Sequence, residues 1–279
     1  MISNGIRHFR LGSDMFLAGC EYMGQFIYGP MALTVAPRAT GPRAVITIPG
    51  YTGTDEAVAP LNDALAGLGY TAESWGLGIN TGVPGRHKFE QQINEIAKRA
   101  SRLAETTGTR VSLVGHSLGG MFAREIGRRF PQLIDRVITM GSPAHMTQQD
   151  ETGAIGTASG VHGRPLGRRD RDHLFSDQPP PGMPLVAIYS RLDAIAPVKT
   201  TQIPADLLSD PDGSPRENVE VLCSHLGMAV NPLVQIVVAD RLARPLGDWQ
   251  AFEASRYFPL PVKLAHSVFY PPVNDRAPA

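Results

Sequence analysis

From residue 43 onward the sequence alternates between short runs that are apolar at most positions and longer stretches that are apolar every third or fourth residue. This alternation restricts the fold more than any other feature. The runs are RAVITIP (43–49), YTAESW (70–75), RVSLVG (110–115), RVITMG (136–141), PLVAIYS (184–190) and NVEVLC (218–223). A strand with one wet face alternates apolar and polar residues, whereas a strand apolar throughout has to be covered on both faces. Between the runs, Val58, Leu61, Leu65 and Leu68 share one helix face that stops at Gly69. Ile93, Ile96, Ala97, Ala100, Leu103 and Ala104 share another that stops at Gly108. A third helix follows residue 117 and buries Phe122, Ile126 and Phe130, with Arg124, Glu125, Arg128 and Arg129 off that face. Strand and helix in alternation predict an α/β fold: a mostly parallel sheet with helices on both faces.

At 279 residues the chain suits one large α/β domain or two small ones. Lys plus Arg equals Asp plus Glu, 26 against 26, so no net field draws the chain to nucleic acid or to an anionic membrane. Cys20 and Cys223 fit no metal-type spacing, and a lone pair is no disulfide framework; two free thiols in a reducing compartment are expected. Near the N-terminus, FLAGC (16–20) matches a lipoprotein cleavage box at Leu17–Cys20. A signal needs an uncharged apolar stretch of about 7–15 residues, and Ser13 and Asp14 interrupt this one. The match is read as chance and the location as cytoplasmic. No apolar run approaches the roughly 20 residues of a membrane span.

Three regions follow: an N-terminal helical segment (1–30) ending before Gly29-Pro30, a core (31–245), and an irregular C-terminal tail (246–279) packed over the surface. The aromatic and Met residues of FLAGCEYMGQFIYG, at helical spacing, are assigned to the core rather than to lipid or a partner subunit. Residues 142–183 have neither helical nor strand period, and a loop this long inside a domain reads as a loop-rich lid insertion over the sheet edge.

The chemistry concentrates in GHSLG (115–119), a G-x-S-x-G turn with a strand before it and an amphipathic helix after. Such a turn lifts the Ser117 hydroxyl above the sheet at a helix N-terminus, where developing negative charge is favoured. Serine needs a base to take its proton. In this strand–turn–helix arrangement the partners follow in the order acid, then histidine. Only His225 and His266 come late enough, and His225, just past the last strand run, is the better placed. Asp193 follows the run PLVAIYS and would hold the imidazole tautomer, while Asp206, Asp210 and Asp212 sit in polar loops. An oxyanion hole needs two backbone N–H groups: Leu118 supplies one, and Tyr51 in PGYTGT the other, or Thr52 if the turn is shifted.

The segments ITIPGYTG, WGLGINTG, LVGHSLGGMFAREI, VITMGSP, AIYSRLDAIAP and SHLGM together resemble the α/β-hydrolase superfamily, in its bacterial lipase and esterase branch, over residues 43–245. The resemblance implies the α/β-hydrolase fold, with Ser117 as nucleophile, Asp193 as acid, His225 as base, and Tyr51 and Leu118 as oxyanion donors. Many members carry His-Gly before the oxyanion residue, where this chain has Pro49-Gly50. Thr52, Trp75, Leu77 and His116 are candidate pocket residues, the glycine-rich loop WGLGINTG (75–82) shaping the rim of the site rather than a phosphate cradle. His145, His162 and His173, with Asp170 and Asp172, match no metal-ligand spacing and read as a solvated face.

The expected function is therefore hydrolysis of a small-molecule or lipid carboxylic ester, with no cofactor and no metal, and the oligomeric state left open. A thioesterase, amidase or acyltransferase on the same triad is the nearer alternative. A non-catalytic binding module of the same fold is the further one.

Overall fold

The computed structural model describes residues 2–83, 85–144, 175, 176 and 178–257, with side chains of the first helix described from Gly12 onward. Six strands form one parallel sheet: β1 (Ala44–Ile48), β2 (Thr71–Ser74), β3 (Val111–His116), β4 (Ile134–Met140), β5 (Leu185–Tyr189) and β6 (Arg216–Glu220). Their order across the sheet is β2-β1-β3-β4-β5-β6. Among the described residues the α-helices are α1 (Ile2–Val35), α2 (Asp55–Gly67), α3 (Arg86–Thr107), α4 (Leu118–Arg129), the single turn α5 (Val198–Thr201) and α6 (Pro232–Ala243). This is the α/β-hydrolase fold. The segment predicted as a lid falls mostly on residues 145–174 and 177, which lie outside the described residues, as do His145, His162, His173, Asp170 and Asp172. His266 and residues 258–279 lie outside them too.

The four inner strands β1, β3, β4 and β5 read apolar at most positions because they feed two cores. The edge strands β2 and β6 are instead largely polar and half-buried, so the run 218–223 expected as a buried strand is one only in part. Along β3, Val111 and Leu113 enter one apolar cluster and Val114 the other. Along β5, Leu185 and Ala187 take the first side, Val186 and Ile188 the second. Successive side chains of a strand point to opposite faces, so each inner strand contributes to both. The first core is closed by α3 and α4 around Phe122, which meets Trp75, Phe89 and Phe175 at ring-centroid distances of 6.3, 5.6 and 5.4 Å. The second lies under α2, α6 and the end of α1.

Three readings from sequence need correction. α1 does not stop before Gly29-Pro30 but runs through Pro30 to Val35. A proline inside a helix costs about 3 kcal/mol; here Ala32 and Ala36, buried in the second core, hold the chain on course. The aromatic and Met residues of α1 are not core: Phe16 is 73% exposed, and Met23, Phe26 and Ile27 are similarly bare. The buried stripe is instead Asp14, Gly29, Ala32 and Ala36, with Glu21 and Gln25 half-buried between them. α4 is buried on nearly every side, including Arg124 and Glu125. Arg124 donates to the Ala144 carbonyl at 2.7 Å, and Glu125 accepts from Arg128 at 2.5 Å and from Arg129.

α6 was not anticipated. It buries residues on all sides, so it shows no helical period. Its signal is at the start, where Asn231 caps the N–H groups of Leu233 and Val234 and Pro232 occupies the first turn.

Because Phe122 is fully buried at the centre of the first core, Phe122→Ala is expected to lower unfolding free energy by about 3–5 kcal/mol, read from urea titration. A loss under about 1 kcal/mol would mean that this aromatic cluster does not hold the sheet to α3 and α4.

Candidate active site

Strand order reverses direction beside β1: the chain goes from β1 outward to β2, then returns to place β3 on the other side of β1. Open α/β sheets bind ligands at such a switch point, beyond the carboxyl ends of the strands. Ile48 at the end of β1 pairs with Gly115 near the end of β3. The loop after β1 and the turn after β3 are therefore neighbours, and both border a cavity of about 370 Å³. Tyr51, Thr52, His116, Ser117, Leu118 and His225 all line it. Met121, Pro143, Ile195 and Leu226 make its walls apolar.

The Ser117 turn is forced by lack of space. A Cβ on Gly115 would stand 2.4 Å from the Gly119 carbonyl oxygen and from Gly120, and one on Gly119 would stand 2.2 Å from the Ile48 carbonyl oxygen. Those neighbours are backbone and cannot swing away, so β3, β1 and α4 meet here only through glycine. Ser117 itself takes φ 51°, ψ −123°, a region that non-glycine residues rarely occupy. Thr52, with φ 60°, is the other non-glycine residue with positive φ among those described. Such conformations cost of order 1–3 kcal/mol each and persist only where the surroundings dictate them.

Asp193 and His225 come from the loops after β5 and β6. His225 Nδ1 lies 2.6 Å from Asp193 Oδ2, and both side chains are buried. The other carboxylate oxygen, Oδ1, accepts the N–H groups of Ile195 (2.8 Å) and Ala196 (2.7 Å), which fixes its plane. A carboxylate only accepts, so the His225 proton sits on Nδ1 and the lone pair on Nε2. Ser190 ties the two loops together: its Oγ donates to the Cys223 carbonyl at 2.6 Å and accepts the Cys223 and Leu192 N–H groups at 3.1 and 3.0 Å.

His116 lines the cavity but is held as a neutral ring. Its Nε2 lies 2.8 Å from the His225 carbonyl oxygen, and because that oxygen only accepts, Nε2 carries the proton. Burial, then the neighbouring His225, pushes its pKa down to about 3. Its role in the geometry is to brace the backbone of His225, a role the sequence did not signal.

The loop 75–82 shapes the site through a different residue from those expected. Trp75 does not line the cavity: it is fully buried in the first core, donating from its indole N–H to the Gly78 carbonyl at 3.0 Å. Leu77 packs against the same core, also away from the cavity. Asn80, fully buried, does the bracing. Its side chain donates to the Pro49 carbonyl at 2.8 Å, its own N–H donates to the Gly53 carbonyl at 2.8 Å, and its carbonyl accepts the Thr52 N–H at 2.7 Å. That last bond engages the Thr52 N–H, so of the two donors expected of this loop Thr52 is already occupied.

Comparison with known proteins agrees with this fold. A family model described as the alpha/beta hydrolase fold matches residues 44–158. No curated protein matches the sequence at a significant level. Among solved structures, the chain is similar to one from a study of LipS and LipT, two metagenome-derived lipolytic enzymes, with TM-score 0.54 and 17% identity over 75% of this chain and 97% of that one. It is also similar to a soluble variant of monoglyceride lipase from Saccharomyces cerevisiae, with TM-score 0.52 and 15% identity over 74% and 89% of the two chains. An acylaminoacyl peptidase from Pyrococcus horikoshii matches with TM-score 0.57 and 14% identity, over 80% of this chain but only 41% of that one.

The neutral His116 makes stability depend on pH. Its folded pKa lies below the usual 6.5, so between about 6.5 and about 3 the unfolded chain takes up a proton that the folded chain refuses. Stability from this residue is complete above that window and falls as pH is lowered through it, by at most about 1.4 kcal/mol per pH unit. Denaturant titration at pH 7, 6, 5 and 4 should therefore show His116→Gln losing stability less steeply than wild type. Parallel slopes would show that His116 is protonated in the folded chain.

Proposed function

For a chain of the α/β-hydrolase fold, we propose hydrolysis of carboxylic esters, with Ser117 as nucleophile, His225 as general base and acid, and Asp193 as the group that orients His225. The observation that carries the reading is the 2.6 Å bond between His225 Nδ1 and Asp193 Oδ2, which leaves Nε2 as the ring nitrogen to take a proton in a residue that lines the same cavity as Ser117. Ser117 Oγ attacks the acyl carbon while His225 Nε2 takes its proton. Charge then develops on the carbonyl oxygen, and the N–H groups of Tyr51 and Leu118 receive it. As the ester C–O bond breaks, His225 returns the proton to the leaving alcohol, giving an acyl-Ser117. Water, deprotonated by the same His225 nitrogen, then releases the carboxylic acid and restores Ser117.

The apolar walls formed by Met121, Pro143, Ile195 and Leu226 suit an acyl chain rather than a charged group. Similarity to lipolytic enzymes supports ester substrates, small or lipid. The similarity to an acylaminoacyl peptidase favours a second reading, amide cleavage by the same groups. No helix among the described residues is long and apolar enough to cross a membrane.

Wild-type protein should react covalently with a fluorophosphonate probe and turn over p-nitrophenyl esters of graded chain length. Ser117→Ala should abolish labelling and lower turnover on the order of 10⁶-fold, and Asp193→Asn should lower kcat by about 10⁴-fold while the fold survives. Labelling of Ser117→Ala at the wild-type rate would remove Ser117 from the reaction. Turnover of thioesters or N-acyl amides in preference to esters would reassign the leaving group.

A further inference from the structure

The two loops that carry Asp193 and His225 are held from outside the sheet, by carboxylates on α1. Asp14 is completely buried. Its Oδ1 accepts the N–H of His225 at 2.8 Å and that of Ala194 at 3.3 Å, and its Oδ2 accepts the N–H of Leu226 at 2.9 Å. One carboxylate therefore spans the residue after Asp193, His225 itself and the residue after His225. Glu21 lies seven residues on, two helical turns away and on the same face. Its Oε1 accepts the Ser224 N–H and the Asn231 side-chain amide, both at 3.0 Å, and its Oε2 accepts the Ser224 hydroxyl. The fit is close: a Cβ on Gly227 would stand 1.8 Å from Glu21 Oε2.

We propose that Asp14 is a positioning residue for the reaction, acting through the backbone of His225, with Glu21 as a second anchor on the same loop. The proposal rests on the esterase reading of Ser117, Asp193 and His225. Backbone N–H groups in a loop have no sheet partner to fix them, and an ionised carboxylate accepts from several at once. By holding His225 and Ala194 on one oxygen, Asp14 sets the distance between the imidazole and its carboxylate. Removing it leaves all three groups in the chain but frees the two loops to drift apart. A displacement of about 1 Å from a residue remote from the chemistry can cost about 10²-fold in rate.

The test uses the full chain and p-nitrophenyl butyrate. Asp14→Asn is nearly isosteric, yet it exchanges one acceptor oxygen for an NH₂ group facing backbone N–H donors. The expected result is a fall in kcat of about 10²-fold with KM little changed. The far-downfield proton resonance of the His225 Nδ1–Asp193 bond should broaden or vanish. Phe16→Ser, on the bare face of the same helix, should leave kcat and that resonance as in wild type. Glu21→Gln, which keeps one acceptor oxygen, should show a smaller fall in kcat. Wild-type kcat and resonance in Asp14→Asn would overturn the proposal. If Asp14→Asn does not fold, Glu21→Gln decides: unchanged kcat and resonance overturn it, and a selective fall in kcat supports it. A wild-type chain inert to the fluorophosphonate probe would instead overturn the underlying esterase reading.

Discussion

At the end of β3 the backbone reverses into α4 with no room for a side chain two residues to either side of Ser117, and the layout of the rest of the site follows from that contact. Glycine at 115 and 119 lets β1, β3 and α4 meet backbone to backbone. The loop after β1 is thereby brought beside the turn, where Asn80 fastens it from a third direction. Larger residues at these positions would push α4 away from the sheet. The cavity would then lose the loop that faces Ser117 before any reacting group had been changed.

What the sequence made legible was whatever the backbone period and turn chemistry dictate. Strands that serve two cores carry apolar residues on both faces, so β1, β3, β4 and β5 were visible as runs, with ends shifted by a residue or two. The order of Ser117, Asp193 and His225 along the chain, each just past a strand, was equally visible, and the structure gathers them at one edge of the sheet. What misled was solvent exposure. α1 is amphipathic in the inverse sense: its bare face is aromatic and aliphatic, while its covered stripe is carboxylate, amide, glycine and alanine. A rule that turns apolar residues inward necessarily rotates such a helix the wrong way. Trp75 failed for a related reason, since a bulky apolar side chain next to a site serves a core as readily as a pocket. Asn80 and Asp14 carried no pattern at all; their importance comes from backbone groups that only the fold brings to them.

The matched family region, residues 44–158, holds the Ser117 turn and its facing loop but neither Asp193, His225 nor α1. The two halves of the site differ physically as well. The first half is fixed by steric exclusion between backbones, which tolerates little change. The second is fixed by hydrogen bonds to loops, through Ser190, His116 and the α1 carboxylates. Many arrangements of polar side chains could secure a loop in this way. That difference accords with the extent of the family match, which covers the first half and ends before the second.

Among the described residues, the two non-glycine positions with positive φ, Thr52 and Ser117, both border the cavity. The fold therefore concentrates its backbone strain where the chemistry is proposed to occur, and glycine at either position would relax it. Selection for thermal robustness alone would act against the hydroxyl at 117. Any scheme that ranks substitutions by stability would place the loss of the proposed nucleophile among its improvements.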